Sequence, residues 1–350
     1  MLRRILQKKK IAVIIPTEND GKAIDRWLFG AATSLYWNHI DIFVYDASDD
    51  NKTEVFVNNF VFDGFKNIFY RKYSKANAAG NKIEILRCAC QELSKEYDYL
   101  WIHDSEFLLD IRGIIKKIER SIEKKADMIV VTPAWREAQE VEDKAYTDAA
   151  ELFKDKCKQL CTLGTVILAS PIAKAMAELS VRDDAVETGM WQMESIFKCI
   201  AKKSIMVDSY IGIQWNYNFA TTEERYANYD PVKLWCRQWY QSIQSLPKEY
   251  DVYKRDACKA DREDYHPFYI KSLLEARANG TLTIKNVNEN RELIPLVCDT
   301  SLRKFYLVAR TPRFVAKFLT KHDKSKITVL IKGIYYVVCG FVPGEKERLS

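Results

Sequence analysis

A chain of 350 residues that is 47% apolar and 29% charged is neither disordered nor fibrous, and it is long enough for one large α/β domain with an appendage or for two domains. Its net charge of +6 is modest and unevenly placed, with much of the excess in the first ten residues and after residue 300. No nucleic-acid partner is expected from this balance; the basic tail points to an anionic or lipid-linked one.

Residues 1–10 are basic like the start of a secretion signal, but the apolar run that follows stops at Pro16 and is too short for one. Ile11 to Ile15, closed by Pro16-Thr17, reads instead as a strand buried on both faces of a parallel sheet. A turn at Asn19-Asp20-Gly21 leads to a helix from Lys22 to Ser34, periodic through Ile24, Trp27 and Leu28. Ile40 to Asp46 is a second strand ending on a carboxylate, and polar residues 47–53 lead into a helix carrying Val55, Val57 and Phe60. Ile68 to Arg71 adds a third strand, and this alternation argues for parallel, right-handed crossovers.

After a loop from Ala76 through Gly80, a helix runs to Leu93 with Ile83, Leu86 and Cys90 at apolar spacing. Tyr99 to His103 is a buried strand that runs out onto Asp104-Ser105-Glu106. Ile111 to Lys125 reads as an amphipathic helix and Asp127 to Pro133 as a strand; Trp135 to Phe153, charged and without an apolar period, reads as a surface excursion. Thr165 to Ala169 is a strand, followed by a helix from Pro171 to Leu179 with Pro in its first turn. Acidic Asp183, Asp184 and Glu187 precede a helix from Trp191 to Lys202 that holds Glu194, and Ile205 to Asp208 is a late strand.

Beyond residue 220 aromatic residues crowd and the pattern turns helical, with a boundary suggested by Leu246-Pro247 and the charged stretch 248–264. Arg237-Gln238-Trp239 reads as part of an amphipathic helix with a packed Trp. The tail interleaves basic residues with Phe305, Phe314 and Phe318, and Ile327 to Val342 is apolar except for Lys332. That run is shorter than the roughly 20 residues a membrane span needs, which leaves a packed helix or an interfacial helix touching anionic lipid. Nine cysteines show no CxxC pair and no zinc spacing; an odd, scattered set fits a reducing cytoplasm.

The chemistry is carried by strand ends. Side chains two apart on an extended chain share a face, so Asp104 and Glu106 form a pair of oxygen ligands suited to a hard cation and phosphate. In an open α/β sheet, Asp46 and this pair end at the same crevice.

The order strand-Pro-Thr, then Val44 to Asp50, then Asp104-Ser105-Glu106 resembles the family-2 glycosyltransferases with the GT-A fold, over roughly residues 10 to 215. The resemblance implies a mostly parallel α/β sheet flanked by helices, with residues 1–245 as the nucleotide-sugar-binding catalytic domain. Residues 246–350 are then a mainly helical region for acceptor, membrane-surface or oligomer contacts. It places Pro16, Thr17 and Glu18 at the nucleotide pocket, Asp46 and Ser48 at the nucleoside, and Gly80 and Arg87, with Asn77, under the diphosphate. Asp104 and Glu106 would hold Mn²⁺ or Mg²⁺ bridging the leaving diphosphate, with Glu in place of the family's second Asp. His103 is either a supporting donor or a core histidine.

Inversion requires a base for the acceptor hydroxyl. Glu194 is the first candidate, and Asp184, Asp183 and Glu187 are alternatives. The implied activity moves a sugar from a nucleotide diphosphate sugar to a saccharide or lipid-linked acceptor, as in cell-surface polysaccharide synthesis. The expected location is the cytoplasm, at the inner face of the membrane if the tail touches it, with a homo-oligomer allowed. A nucleotidyltransferase fits less well, because residues 17–22 make a poor phosphate loop. A non-catalytic subunit of the same fold stays open through the departures at Glu106 and Ser195.

Overall fold

Ile11 to Ile15 offers no polar side chain to solvent, and strand β1 (Ile11–Thr17) is buried at every position. The computed structural model describes residues 11–32, 40–73, 82–105, 107–110, 112–133, 143–179, 190–217, 230–259 and 268–320. They form two compact units, Met1–Phe219 with Leu246–Tyr253, and Ala220–Ser245 with Lys254–Ser350.

The first unit follows the predicted alternation through α1 (Gly21–Ala32), β2 (Asp41–Asp46), α2 (Lys52–Phe62), β3 (Ile68–Lys72), α3 (Lys82–Leu93) and β4 (Tyr99–Ile102). It continues with β5 (Phe107–Asp110), α4 (Ile115–Glu123), β6 (Met128–Pro133), β7 (Lys144–Tyr146), α5 (Ala149–Lys156), β8 (Val166–Ala169), α6 (Ser170–Glu178), α7 (Met190–Ile200) and β9 (Val207–Tyr217). The sheet order is β3-β2-β1-β4-β8-β6-β9-β5, with β7 also on β9. β1 to β4 pair in parallel, as do β6 and β9, whereas β8 runs antiparallel to both β4 and β6.

The expected α/β sheet flanked by helices is therefore observed, with antiparallel pairings at β8 and at β5 and β7, which pair with β9. The excursion expected between Trp135 and Phe153 is corrected over its described part. Residues 144–156 form β7 and α5, with Tyr146, Leu152 and Phe153 in the core. Likewise, the helix expected from Ile111 begins only at Ile115. The late strand is longer than expected and runs to Tyr217.

Alternation of the strand side chains divides the core. Ile11, Val13, Ile15, Val44, Trp101 and Val131 join Trp27 and Leu28 of α1, Val57 of α2 and Ile118 of α4 on one face. On the other, α3 packs on α6 and α6 on α7. Gly164 has a left-handed backbone (φ +89°), and a Cβ there would stand 3.0 Å from His103 Cε1. That ring is wedged against Trp27 and Trp101, with centroids 5.4 and 5.2 Å away, and has little room to give. Gly164→Ala is expected to lower stability by about 2 kcal/mol through backbone strain and overpacking, seen as a lower midpoint in urea unfolding with an unchanged slope.

Near the expected boundary, residues 246–253 belong to the first unit, where Tyr250 is fully buried between Phe153 and Phe197 and donates to the Phe197 carbonyl at 2.8 Å. In the second unit a π-helical segment (Val232–Trp239) runs into α8 (Tyr240–Ser245). The expected packed Trp is there: Trp239 is fully buried, with Nε1 donating to Ala257 O at 3.0 Å. Helices α9 (Asp251–Cys258), α10 (Ile270–Asn279), α11 (Ile284–Glu289), α12 (Ile294–Val297), α13 (Leu302–Arg310) and α14 (Arg313–Thr320) follow. No helix among the described residues is long and apolar enough to cross a membrane.

Candidate active site

The chain lays β2 and β3 on one side of β1 and then places β4 on the other. That reversal is a topological switch point, where open α/β sheets bind ligands beyond the carboxyl ends of their strands. Register fixes the height of each residue there. Thr17 lies opposite Asp46, and Ile14 opposite Ile102, so three residues further on Ser105 reaches the level of Thr17. Asp46 and Asp104 are thus two strands apart, about 10 Å by strand spacing.

The structure turns the Asp46 carboxylate inward. It is fully buried, and its Oδ1 accepts the Ser48 N–H at 2.9 Å and the Ser48 hydroxyl. Its Oδ2 accepts the Tyr70 hydroxyl at 2.8 Å and the Lys72 ammonium at 3.3 Å. Burial, followed by the hydrogen bond to Asp46, pushes the Tyr70 phenol above its ordinary range. Lys72 also donates to the carbonyls of Ser48 at 2.6 Å and Asp50 at 3.1 Å.

The strand-end loops are stitched together as well. The Ser48 hydroxyl accepts the Asn19 N–H at 2.7 Å, and Asn19 Oδ1 accepts the Asp49 N–H at 3.1 Å. Asn19 takes a left-handed backbone (φ 52°), a conformation Asn tolerates better than most residues. Gly21 lets the start of α1 approach α2, since a Cβ would meet Lys52 Cβ and Thr53 N at 3.2 Å. Tyr70 and Lys72 escaped the sequence reading because they belong to the neighbouring strand. Their signal is register: Lys72 lies directly opposite Asp46.

At the switch point itself Pro16 and Thr17 are buried and Glu18 is half-buried. Thr17 Oγ1 has no hydrogen-bond partner among the described residues. Asp104 is half-buried just past β4, and Ser105 donates to Asp20 Oδ2 at 3.4 Å. His103 is a core residue whose imidazole is held neutral, its pKa pushed down to about 4 chiefly by burial. Among the described residues no three His, Cys, Asp or Glu side chains gather into a metal cage. A half-buried Asp104 at a strand end fits an ion of the Mg²⁺ or Mn²⁺ type, which takes one or two carboxylates and completes its sphere with phosphate oxygens and water. Glu106, Gly80 and Asp184, with Asn77, Asp183 and Glu187, lie outside the residues whose side chains are described.

Arg87 is turned to its own helix and its neighbour. Nη1 pairs with Glu84 at 2.9 Å and Nε donates to Ala177 O of α6 at 3.0 Å. Glu194 is 5% exposed, one turn before Lys198, which donates to its Oε1 at 2.6 Å. A further cation stands on the same carboxyl edge, unmarked by any motif. Lys156 of α5 is 4% exposed and donates to Thr132 Oγ1 at 3.3 Å, at the end of β6. The helix that carries it had too few apolar residues to be recognised as one.

No known family model matches this chain, and no curated protein does. Solved structures do resemble it. The mannosyltransferase PcManGT of Pyrobaculum calidifontis, in complex with GDP-Man and Mn²⁺, is 10% identical with a TM-score of 0.50, covering 95% of this chain and 86% of its own. The S. aureus protein TarS, residues 1–349 in complex with UDP-GlcNAc, is 13% identical with a TM-score of 0.48, covering 89% and 90%. Identities this low speak to architecture alone. The chain accordingly has a GT-A-like α/β fold with a largely helical C-terminal region, similar to that of PcManGT.

Proposed function

We propose that this protein is a family-2-like glycosyltransferase that moves a sugar from a nucleotide diphosphate sugar to an acceptor hydroxyl, with inversion and with help from a divalent cation. The observation that carries the reading is the topological switch point between β1 and β4, with half-buried Asp104 just past the end of β4 and buried Thr17 at the end of β1. PcManGT has the same kind of fold and was solved with GDP-Man and Mn²⁺; the proposal extends that donor class and cation to this chain. Bound Mn²⁺ or Mg²⁺ would neutralise charge on the departing diphosphate, with Asp104 and Glu106 as its protein ligands.

Pro16, Thr17 and Glu18 border the nucleotide pocket in this reading. Asp46 acts through the Ser48 and Lys72 it positions, and Gly80 and Arg87 lie on the diphosphate side. The acceptor oxygen attacks the anomeric carbon as the bond to the diphosphate breaks. Its proton passes to a carboxylate, Glu194 or Asp184. The acceptor is a saccharide or lipid-linked precursor of a cell-surface polysaccharide or glycoconjugate. The enzyme works in the cytoplasm at the inner face of the membrane, with residues 246–350 making acceptor, membrane or homo-oligomer contacts.

One observation favours a second reading, a non-catalytic subunit of the same fold: Glu194 is buried and already paired with Lys198. Calorimetry with a panel of nucleoside diphosphates and their sugars, with and without Mn²⁺, separates the outcomes. Transfer predicts binding that tightens with Mn²⁺, because the cation neutralises charge on the diphosphate, and turnover once acceptor is supplied. Binding without turnover supports the subunit, and no binding by any nucleotide removes both.

A further inference from the structure

We infer that the α13–α14 segment is a docking face for an anionic lipid bilayer. This deepens the membrane contact proposed above and depends on that contact alone, since vesicle binding is read without sugar turnover. From Ser301 to Thr320 the chain carries Arg303, Lys304, Arg310, Arg313 and Lys317 and no Asp or Glu; the next acid is Asp323. An acid-free cationic stretch of this kind is drawn to the negative surface potential of anionic lipid.

Apolar anchors stand among these charges. Helix α14 buries Ala316 and Leu319 and packs on α10. Its exposed positions are Arg313, Phe314, Lys317 and Phe318, which fall in one stripe at helical spacing. Phe314 is 75% exposed and Phe318 38%. Two Phe rings beside cations on one helical stripe match the interfacial pattern, in which aromatic rings enter the acyl boundary while basic groups meet the headgroups. Arg313 also serves the fold, because its guanidinium lies over Gly280, where a Cβ would come within 1.4 Å of Nη2. Lys317 and Arg310 are therefore the cations to test. Charge complementarity selects lipid over a second copy of this chain, whose own α13–α14 segment would bring like charges together. The sequence beyond continues the theme, with Ile327 to Val342 apolar apart from Lys332.

The test is co-sedimentation of the full chain with vesicles of phosphatidylcholine alone or mixed with phosphatidylglycerol, at low and physiological salt. Partitioning should require phosphatidylglycerol and weaken with salt. Lys317→Ala and Arg310→Ala should each weaken it about fivefold, and Phe314→Ser about tenfold. All three positions are exposed, and an unchanged thermal midpoint confirms that the variants are folded. Equal partitioning onto both vesicle types, or none, overturns the proposal, as does wild-type binding by Phe314→Ser and Lys317→Ala. Loss of binding only on removal of residues 327–350 would move the contact to the tail and overturn it too. So would concentration-dependent dimerisation that Phe314→Ser abolishes while vesicles are ignored.

Discussion

Asp104→Ala is expected to lower sugar turnover by at least about 10²-fold while leaving the thermal midpoint of the unliganded protein unchanged. The first half follows from the part given to this carboxylate. Removing one preorganised group that stabilises transition-state charge typically costs 10²–10³-fold or so in kcat, and a metal ligand holds the ion that meets the diphosphate. The second half follows from its position. Asp104 is half-buried at a strand end, so its loss opens no core cavity. The discriminating measurement is a Mn²⁺ titration of nucleoside diphosphate binding: the variant should lose the metal-dependent gain and keep the metal-free affinity. Turnover equal to wild type would falsify the assignment of Asp104, and an equal loss of metal-free affinity would point to general damage.

Asp46→Ala should act in the opposite way, striking stability first. Its carboxylate is fully buried and takes four protein donors from Ser48, Tyr70 and Lys72. Breaking such an arrangement from one side leaves buried donors without an acceptor, which costs on the order of 3 kcal/mol. Chemical denaturation measures it directly. Tyr70→Phe removes only one of the four donors and should cost about 1 kcal/mol. A small loss for Asp46→Ala with a large loss of nucleotide affinity would instead mark the carboxylate as a direct ligand contact.

These contrasts show what the sequence can carry. Strands β1, β2 and β4 announce themselves as apolar runs. The acids at the ends of β2 and β4 are visible because a charged residue breaks the run, whether it then faces solvent or, like Asp46, is paired inside. The helices α1, α3 and α7 are long enough to show a period. Strand β7, Lys144-Ala145-Tyr146, has nothing comparable: it is short and pairs with a strand more than 60 positions away. Helix α5 buries Ala149, Leu152 and Phe153 within eight residues, too few for a pattern to stand out from the charges around it. Nor does a one-dimensional reading see that Asp46 faces inward. Its partners Tyr70 and Lys72 lie across a strand pairing, so what holds the residue expected at the nucleoside is invisible along the sequence.

The antiparallel insertion of β8 bears on how the molecule is built. β4 and β6 never touch as strands; β8 bridges them. When the chain has been laid down as far as β6, only β3-β2-β1-β4 are paired, and β5 and β6 find their places only when the later strands β8 and β9 arrive. Those pairings require contacts across long sequence separations, which are slow to form. The four strands β3-β2-β1-β4, by contrast, pair among themselves within the first third of the chain and already form the switch point between β1 and β4. The half of the sheet that holds the switch point is thus the part that ribosomal synthesis completes first, and the β8 junction is where assembly of the remainder waits.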